Sequence, residues 1–272
     1  MISVVILTKN EAADIADAIR SVAAISDDVH IFDSHSADGT QEIARSLGAH
    51  VTERTFDNYA AQRNASLSLA FQHEWILVLD ADERVTSELA AEINRVTQNA
   101  SADIGAFRIR RRDFLWGTWL KHAQITPFYI RLMRRGHARY VRDVNELVEV
   151  NGRIVELTAP FDHFPFSKGI AHWIAKHNAY STGEAKLLAT GAAVQEASFT
   201  TAFFHKDRQT RRAAQKAIFY RVPLRPLFKW CYMVFWRRAI LDGHAGLTYA
   251  TLQSIYEYFI ELKRREITRG RP

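Results

Sequence analysis

Residues 75–83 read WILVLDADE, an uninterrupted apolar run that leads directly into three carboxylates. Apolar runs of this length that are rich in Ile, Val and Leu are typical of strands buried on both faces of a parallel sheet. Ligands of such sheets bind outside the carboxyl ends of the strands. Asp80 and Asp82 are therefore placed to hold a hard divalent cation together with a phosphorylated ligand. An exposed turn is the alternative, because Asp and Glu also cluster in turns.

The preceding sequence repeats a unit of strand, loop and helix. The predicted strands are 2–7, 29–32, 50–53 and 75–79, and the predicted helices are 15–22, 41–47 and 58–71. The helix at 41–47 is expected to stop at Gly48, a typical residue beyond a helix C-terminus. Recurring units of this kind predict an α/β fold with a right-handed, mostly parallel sheet. In such a sheet Asp33 and Asp80 lie at the same edge, which is difficult to explain by two unrelated turns.

Four motifs in a fixed order carry a resemblance to a known family. They are TKNE at 8–11, DSHSADGT at 33–40, QRN at 62–64 and DAD at 80–82. Over roughly residues 1–165 the chain resembles the family 2 glycosyltransferases, which have the GT-A fold, a Rossmann-like arrangement. The wider pattern, with LDADE at 79–83 and KHNAYS at 176–181, is most similar to bacterial enzymes that glucosylate the inner core of lipopolysaccharide.

The resemblance implies a nucleotide-sugar site at the first two loops. Thr8, Asn10 and Glu11 of the first loop and Asp33 of the second are expected to bind the donor, with Glu11 and Asp33 holding the nucleoside. Carboxylates suit this role because they accept strong hydrogen bonds from a ribose hydroxyl or a pyrimidine N–H. The alternatives are a helix first-turn charge for Glu11 and a turn carboxylate for Asp33.

The resemblance also implies a metal and diphosphate site. Arg63 is expected to contact the diphosphate, since its planar guanidinium matches phosphate oxygens; an exposed helix arginine is the alternative. Asp82 is the principal candidate ligand for Mg²⁺ or Mn²⁺, and Asp80 is expected to meet the ribose or to support the metal from behind. His163 is a second candidate metal ligand, with a structural, hydrogen-bonded histidine as its alternative. Glu83 is expected to cap the next helix.

An inverting transfer needs a base beside the acceptor hydroxyl. The segment RDVNE at 142–146 follows predicted strands at 107–112 and 129–134, where the family carries its catalytic carboxylate. Glu146 is the first candidate base and Asp143 the second. Loss of general-base help costs about 10²- to 10⁴-fold in rate. The alternative is that both are surface charges on a loop beside a β-hairpin.

Length and composition favour a globular protein of two parts. The chain has 272 residues and 47% hydrophobic content. We expect a GT-A nucleotide-sugar-binding and catalytic domain at 1–165 and a helical region at 166–272, with helices at 173–188 and 246–267. The single cysteine, Cys231, excludes an intramolecular disulfide and is consistent with a reducing cytoplasm. The six-residue apolar run at the N-terminus is too short for a signal peptide, so we expect a cytoplasmic protein.

Basic residues are concentrated in two windows of a chain whose net charge is +6. Residues 108–142 and 205–238 each contain ten Lys or Arg and one Asp, and the second window interleaves them with aromatics. Such a mixture suits the headgroup boundary of an anionic bilayer, and no uncharged run approaches the ~20 residues of a spanning helix. We therefore expect peripheral binding to the inner face of the inner membrane, where the arginines of 108–142 also contact the phosphorylated sugars of a lipid-anchored acceptor. Aromatics buried beneath snorkelling cations are one alternative; nucleic-acid binding is another, but no nucleic-acid module motif is present.

These inferences converge on a metal-dependent, inverting transfer of a hexose, glucose from UDP-glucose, to a hydroxyl of a lipid-anchored cell-envelope oligosaccharide, the lipopolysaccharide core. The expected partners are the nucleotide-sugar, that acceptor and an anionic membrane surface, with no nucleic acid. One rival is sugar transfer to a polyisoprenyl phosphate, whose anionic oxygen needs no base. The other is a non-catalytic membrane adaptor that keeps the fold but binds no nucleoside diphosphate.

Overall fold

The structure, a computed structural model, describes residues 1–124, 127–141, 147–190, 199–204 and 208–270. Two compact units share the chain. The first consists of residues 1–114 and 126–167, and the second consists of residues 115–125 and 168–272. The predicted bases Asp143 and Glu146 lie outside the described residues.

The first unit begins with the predicted alternation of strands and helices. Its elements are β1 (Ser3–Thr8), α1 (Ile15–Ser21), β2 (Asp28–Asp33), α2 (Thr40–Ser46), β3 (His50–Glu53), α3 (Tyr59–Ser66) and β4 (Trp75–Asp80). The four strands are parallel and lie side by side in the order β3, β2, β1, β4. Gly48, at φ +81°, follows the end of α2 as expected. The prediction of a parallel N-terminal sheet is confirmed.

One predicted helix is too long. Helix α3 ends at Ser66, five residues before the predicted end. The hydroxyl of Ser66 donates to the carbonyl of Arg63 at 2.7 Å, a local bond that competes with further helix, and the chain then turns. Phe71 leaves the helix direction to pack edge-on against the ring of His30, 5.0 Å between centroids. Burial of the Phe71 ring therefore ends the helical run.

Beyond β4 the sheet becomes mixed. The next elements are β5 (Glu83–Val85), α4 (Ser87–Gln98), β6 (Ile104–Leu115), β7 (Thr118–Trp119), β8 (Phe128–Arg134), β9 (Ala138–Val141), β10 (Leu147–Val150), β11 (Arg153–Glu156) and β12 (Phe161–His163). Strand β8 lies antiparallel between β4 and β6, and β12 pairs parallel with β6 and antiparallel with β5. The expected mostly parallel sheet is thus corrected to a mixed one. Glu83 does not cap α4; Thr86 does, by accepting from Leu89 N at 3.1 Å.

The second unit is helical. It contains α5 (Gly169–Ala189), α6 (Phe199–Phe204), α7 (Arg208–Phe219), α8 (Arg225–Cys231), a π-helical turn (Tyr232–Trp236), a 3₁₀ turn (Ala239–Asp242) and α9 (Gly243–Thr268). The two helices predicted at 173–188 and 246–267 are confirmed within α5 and α9. Leu188, Tyr220 and Ile260 form a small core between three helices. Across the described ranges, no helix is both long enough and apolar enough to traverse a bilayer.

Candidate active site

Three predicted site residues lie at one edge of the sheet because of strand register. Strand β1 is central, with Thr8 opposite Asp33 on β2 and Leu7 opposite Asp80 on β4. All three strands run in the same direction, so their carboxyl ends open on the same rim. The structure therefore brings together the acidic loops that the sequence placed at strand ends.

The carboxylate of Asp33 is fully occupied within the protein. One oxygen accepts from Ser36 N at 2.7 Å and Gln41 Nε2 at 2.8 Å, and the other from the Thr8 hydroxyl at 2.6 Å and the Ser36 hydroxyl at 2.6 Å. Burial opposes ionisation of Asp33, but these hydrogen bonds outweigh it and lower its pKa. A carboxylate has about four acceptor sites. A nucleoside contact by Asp33 would therefore have to replace one of these bonds.

Hydrogen bonds join the first loop to the second. Asn10 N donates to the Ser36 hydroxyl at 2.7 Å, and Asn10 Oδ1 accepts from Ala37 N at 2.9 Å. Glu11 N donates to the hydroxyl of Thr40 at 2.8 Å. Asn10 adopts a left-handed backbone, φ +55°, which asparagine tolerates better than most residues. The loops predicted to bind the nucleoside thus form one cross-linked surface.

Helix α3 connects this surface to the remainder of the rim. Gln62 Nε2 donates to the hydroxyl of Ser34 at 3.0 Å. Arg63 Nη2 contacts both oxygens of Asp80, at 2.9 and 3.2 Å. The Asn64 side chain exchanges two hydrogen bonds with the backbone of Tyr140, each 2.8 Å long. The predicted diphosphate motif therefore contacts three separate segments with three consecutive side chains.

Asp80 lies in a buried charge network that we call the Asp80 cluster: Asp80, Glu83, Arg63 and Arg131. Arg131 Nη2 lies 2.8 Å from Asp80 Oδ2 and also contacts Glu83 Oε1. The other oxygen of Glu83 accepts from Asp80 N at 3.0 Å. Glu83 and Arg131 are buried, whereas about a third of the Asp80 side chain is exposed at 36%. Asp80 is thus the most exposed member of the cluster.

The two acids of the cluster have opposite pKa shifts. Burial opposes the ionised form of Asp80, but Arg63 and Arg131 outweigh it and hold the pKa well below its usual range. Burial raises the pKa of Glu83 despite the attraction of Arg131, and the neighbouring Asp80 adds to that rise. Opposite shifts in adjacent carboxylates are common at functional sites. The two guanidinium groups therefore keep Asp80 ionised.

Asp82 pairs with His163. Asp82 Oδ2 lies 3.3 Å from His163 Nε2, and His163 Nδ1 lies 2.6 Å from Asp113 Oδ1. Arg111 in turn contacts Asp113, with Nε at 2.8 Å. Burial lowers the pKa of His163, but Asp82 and Asp113 outweigh it and raise the pKa to about 9. Without a metal both ring nitrogens therefore donate, as in an imidazolium, and Nε2 would have to release its proton to bind a metal.

Asp82 and His163 fit the divalent ion that the resemblance implies. Cis ligands of an octahedral ion with bonds of about 2.1 Å lie roughly 3 Å apart, close to the observed 3.3 Å between the two side-chain atoms. Asp113 would then hold the histidine ring, as carboxylates do behind metal-bound histidines. In the described part of the chain no three His, Cys, Asp or Glu side chains cluster for a metal. Water and donor phosphates would complete the coordination of such an ion.

Two members of this site escaped the sequence analysis. Arg131 is an arginine between Ile130 and Leu132 in an apolar strand, a pattern that calls for a buried acid partner. Asp113 lies opposite His163 in the β6–β12 register. From the sequence, the arginines of β6 and β8 were assigned only to contacts with the phosphates of an acceptor. The predicted bases Asp143 and Glu146 follow β9, whose Tyr140 is held by Asn64, and lie outside the described residues.

Comparisons with known proteins agree with this architecture. Residues 3–149 match the family described as glycosyl transferase family 2. A Rickettsia felis protein named as an uncharacterized glycosyltransferase is 34% identical over 203 residues, covering 68% of this chain and 69% of its own. A Rickettsia typhi protein with a similar name is 32% identical over 198 residues, covering 68% and 67%.

A solved structure shares the fold along nearly the whole chain. It is a mannosyltransferase from Pyrobaculum calidifontis in complex with GDP-Man and Mn²⁺, with a TM-score of 0.50 and 17% identity. The match covers 97% of this chain and 86% of that one. A glucosyl-3-phosphoglycerate synthase from Mycobacterium tuberculosis, with 22% identity and a TM-score of 0.33, matches 41% of this chain and 43% of its own.

Proposed function

The chain belongs to glycosyl transferase family 2 and is a glycosyltransferase, and from that premise we propose that it transfers glucose from UDP-glucose to a hydroxyl of the lipopolysaccharide core. The observation that carries the proposal is the rim itself. A cross-linked pair of loops, the Asp80 cluster and the Asp82–His163 pair all belong to the carboxyl-end side of one sheet. The similarity of the 79–83 and 176–181 segments to inner-core glucosyltransferases favours glucose and this acceptor.

The donor lies along the rim in this proposal. Thr8, Asn10, Glu11 and the Asp33 loop form the nucleoside side, with Asp33 acting chiefly by fixing the loop, because its four acceptor positions are occupied. Asp80 meets the ribose with its exposed edge. The anionic diphosphate is attracted by Arg63, whose guanidinium it would share with Asp80.

The transfer is a single displacement at the anomeric carbon. The acceptor oxygen forms its bond to that carbon from one face while the bond to the diphosphate oxygen breaks on the other, so the configuration inverts. Asp82 and His163 would hold Mg²⁺ or Mn²⁺, which would supply charge neutralisation for the departing diphosphate. The proposal draws support from the mannosyltransferase of the same fold, which was solved with GDP-Man and Mn²⁺.

Glu146 removes the acceptor proton in this proposal, with Asp143 as the second candidate. Both follow β9, and α3 holds that strand to the rim through Asn64 and Tyr140. A carboxylate that follows this strand could reach an acceptor beside the donor, and it takes the proton as the new bond forms.

The acceptor is anchored in lipid, and the enzyme meets it at the cytoplasmic face of the inner membrane. The basic composition of 205–238 supports this location, because anionic headgroups attract Lys and Arg. The arginines of 108–142 were expected to meet acceptor phosphates. The structure limits that idea, since Arg111 and Arg131 are engaged with Asp113, Asp80 and Glu83.

Calorimetric titration tests the donor half of the proposal. UDP, GDP and CDP are titrated into the purified protein with and without Mn²⁺. We expect UDP to bind at least ~100-fold more tightly with metal, and GDP and CDP to bind more weakly than UDP. A preference for GDP or CDP would overturn the UDP-sugar assignment. Absence of any nucleotide binding would favour the non-catalytic adaptor.

A transferase assay tests the acceptor half. UDP-[¹⁴C]glucose is supplied with lipid A-core acceptor, with polyisoprenyl phosphate and with no acceptor, using the wild type, Glu146→Gln and Asp143→Asn. We expect label on the core acceptor and a ~10²- to 10⁴-fold slower rate in Glu146→Gln with UDP affinity unchanged. Label on polyisoprenyl phosphate at full rate in both variants would establish the rival reaction.

A further inference from the structure

In the second unit, the segment that connects α7 and α9 exposes a set of bulky apolar side chains. We call this set the apolar ridge: Leu224, Leu227, Phe228, Phe235, Trp236 and Leu241. Each of these side chains is more than half exposed, and Trp236 reaches 80%. Monomeric soluble proteins seldom expose so many bulky side chains together, and such patches mark protein or membrane contacts. The ridge therefore needs a partner.

The ridge is an ordered feature with a buried inner side. Within one π-helical turn, Met233 and Val234 are buried while Phe235 and Trp236 face outwards. The widened turn is closed by a bond from Arg237 N to Tyr232 O at 2.8 Å. Single π-helical turns occur frequently at functional sites. The exposed pair thus results from a definite backbone conformation with its own core beneath it.

Polar contacts attach the segment that carries the ridge to α9. Arg225, 2% exposed, pairs through Nε with Glu257 Oε2 at 3.0 Å. Trp230 Nε1 donates to the hydroxyl of Thr251 at 3.2 Å. At the far end, a Cβ on Gly246 would lie 2.0 Å from the carbonyl oxygen of Ala239, so only glycine allows this close approach. The scaffold thus supports the ridge from one side and leaves its outer side exposed.

Strained backbone occurs at two positions of the segment that carries the ridge. Leu224 and Arg238 both have left-handed φ angles, +50° and +61°, which cost free energy for residues with a bulky side chain. Arg237, next to the second of these, is fixed by donating to the carbonyls of His122 at 3.2 Å and Gln124 at 2.8 Å. Strain of this kind persists only where surrounding contacts enforce it. The outward orientation of the ridge is therefore maintained against a local cost.

Charge identifies the partner. Residues 208–241 contain nine Lys or Arg and no Asp or Glu. Arg225 and Arg237 act internally, whereas Arg221 and Arg238 are exposed next to the ridge. A symmetric contact between two copies would place these cations opposite each other, which is unfavourable. Bulky apolar and aromatic side chains beside cations instead match the boundary of an anionic bilayer.

We propose that the apolar ridge inserts into the headgroup and upper acyl region of an anionic lipid bilayer, with Arg221 and Arg238 at the phosphates. This inference rests on the proposed lipid-anchored acceptor and adds the surface that makes the contact. Binding is monotopic: the ridge enters one leaflet by roughly 5–10 Å, as interfacial helices do.

Vesicle flotation tests the inference. The full chain is mixed with phosphatidylcholine vesicles with and without phosphatidylglycerol. Phe235→Ser/Trp236→Ser is compared with Ile154→Ser/Ile267→Ser, a matched control that removes two exposed apolar side chains elsewhere (42% and 39% exposed). We expect the ridge variant to lose at least ~10-fold in partitioning, because two aromatics no longer leave water. The control should bind as the wild type does. Arg221→Gln/Arg238→Gln should lose ~10-fold only with phosphatidylglycerol present.

A fluorescent label locates the contact. Cys231→Ser/Phe235→Cys is labelled with an environment-sensitive dye and compared with Cys231→Ser/Ile154→Cys. A blue shift on anionic vesicles at position 235 alone supports insertion. The inference is overturned if the wild type does not float with anionic vesicles, if the ridge variant floats equally well, or if that variant instead dissociates a dimer. Titration of the same variants with UDP and Mn²⁺ distinguishes failure of the membrane inference from failure of the transferase proposal. Nucleotide binding depends only on the rim, so it should be unchanged in the ridge variants.

Discussion

The two acidic loops of the rim use their carboxylates in opposite ways. Asp33 accepts four hydrogen bonds from neutral donors: three side-chain groups and one backbone N–H. Asp80 instead faces two guanidinium groups, those of Arg63 and Arg131, and a second buried acid. The charge of Asp33 is therefore balanced by neutral hydrogen-bond donors, and the charge of Asp80 is balanced by two cationic side chains.

This difference separates a structural role from a ligand-binding role. Dipoles from Ser36 and Gln41 hold Asp33 where it is, and no exposed surface remains on it for a ligand. Whole charges can be redistributed, because a diphosphate arriving beside Arg63 supplies negative charge that the arginine can share. Asp82 and His163, next to that network, form an ion pair at a separation that suits two ligands of one metal.

Breaking the Asp80 cluster should have the largest effect on stability. Arg131→Met leaves Glu83 buried without its main cation, and removing one partner of a buried ion pair costs about 3–5 kcal/mol. We expect a fall of that size in the free energy of unfolding, measured by urea denaturation. Arg153→Met is the matched control, because Arg153 pairs with Asp103 at the surface, and it should leave the free energy of unfolding nearly unchanged. Equal effects of the two substitutions would show that the cluster does not stabilise the fold.

Breaking the Asp33 loop should cost less. Asp33→Asn removes the charge that four donors share, and hydrogen bonds to charged groups contribute about 1.5–3 kcal/mol. The pKa of Asp33 is lowered in the folded protein, so its stabilisation is present above the unfolded pKa near 4 and is lost as pH falls through the folded value. We expect the difference in unfolding free energy between wild type and Asp33→Asn to shrink below pH 4. A difference that is constant from pH 7 to pH 2 would contradict this assignment.

Removing the carboxylate that holds His163 should affect ligand binding more than stability. Asp113 holds His163 Nδ1 at 2.6 Å. We expect Asp113→Asn to weaken Mn²⁺-dependent UDP binding by about 10- to 100-fold, the usual effect of removing such a support. Metal-free UDP binding should not change. If both affinities fell together, Asp113 would instead act on the whole rim.

The smallest effect on stability is expected at the contact between α3 and the Asp33 loop. Gln62 donates one neutral hydrogen bond to Ser34, which contributes about 1 kcal/mol, and it also accepts one from Arg54, which keeps its ion pair with Asp57 when Gln62 is removed. Gln62→Ala should lower the unfolding free energy by about that amount and leave the Mn²⁺ dependence of UDP binding intact. A loss of Mn²⁺ dependence would mean that the two loops are not separable.

The sequence was sufficient for the features that depend on local pattern. Apolar runs located β1, β2, β3 and β4, and the residues directly after them, such as Asp33 and Asp80, could be placed at one rim because parallel strands share their carboxyl ends. Gly48 marked the end of α2 for an equally local reason. The family motifs then assigned chemistry to these positions.

Features that depend on strand order were not predictable from local pattern. Arg131 reaches Asp80 because β8 returns antiparallel beside β4, with Leu77 opposite Leu132. Asp113 supports His163 because β12 joins β6 in parallel, and the same returning strands make the sheet mixed. The early end of α3 depends on a distant ring, that of His30. None of these partners is near its contact in the sequence.

The central claim is that Asp82 binds the metal whereas Asp80 belongs to the charge cluster. The most direct test is calorimetric titration of UDP, with and without Mn²⁺, into Asp82→Asn and Asp80→Asn. Asp103→Asn serves as a surface control. The account predicts that Asp82→Asn loses the Mn²⁺ enhancement of UDP affinity. Asp80→Asn should lose stability, because Arg63 and Arg131 lose their shared acid. Full Mn²⁺ enhancement in Asp82→Asn would contradict the account and remove the metal from this side of the rim.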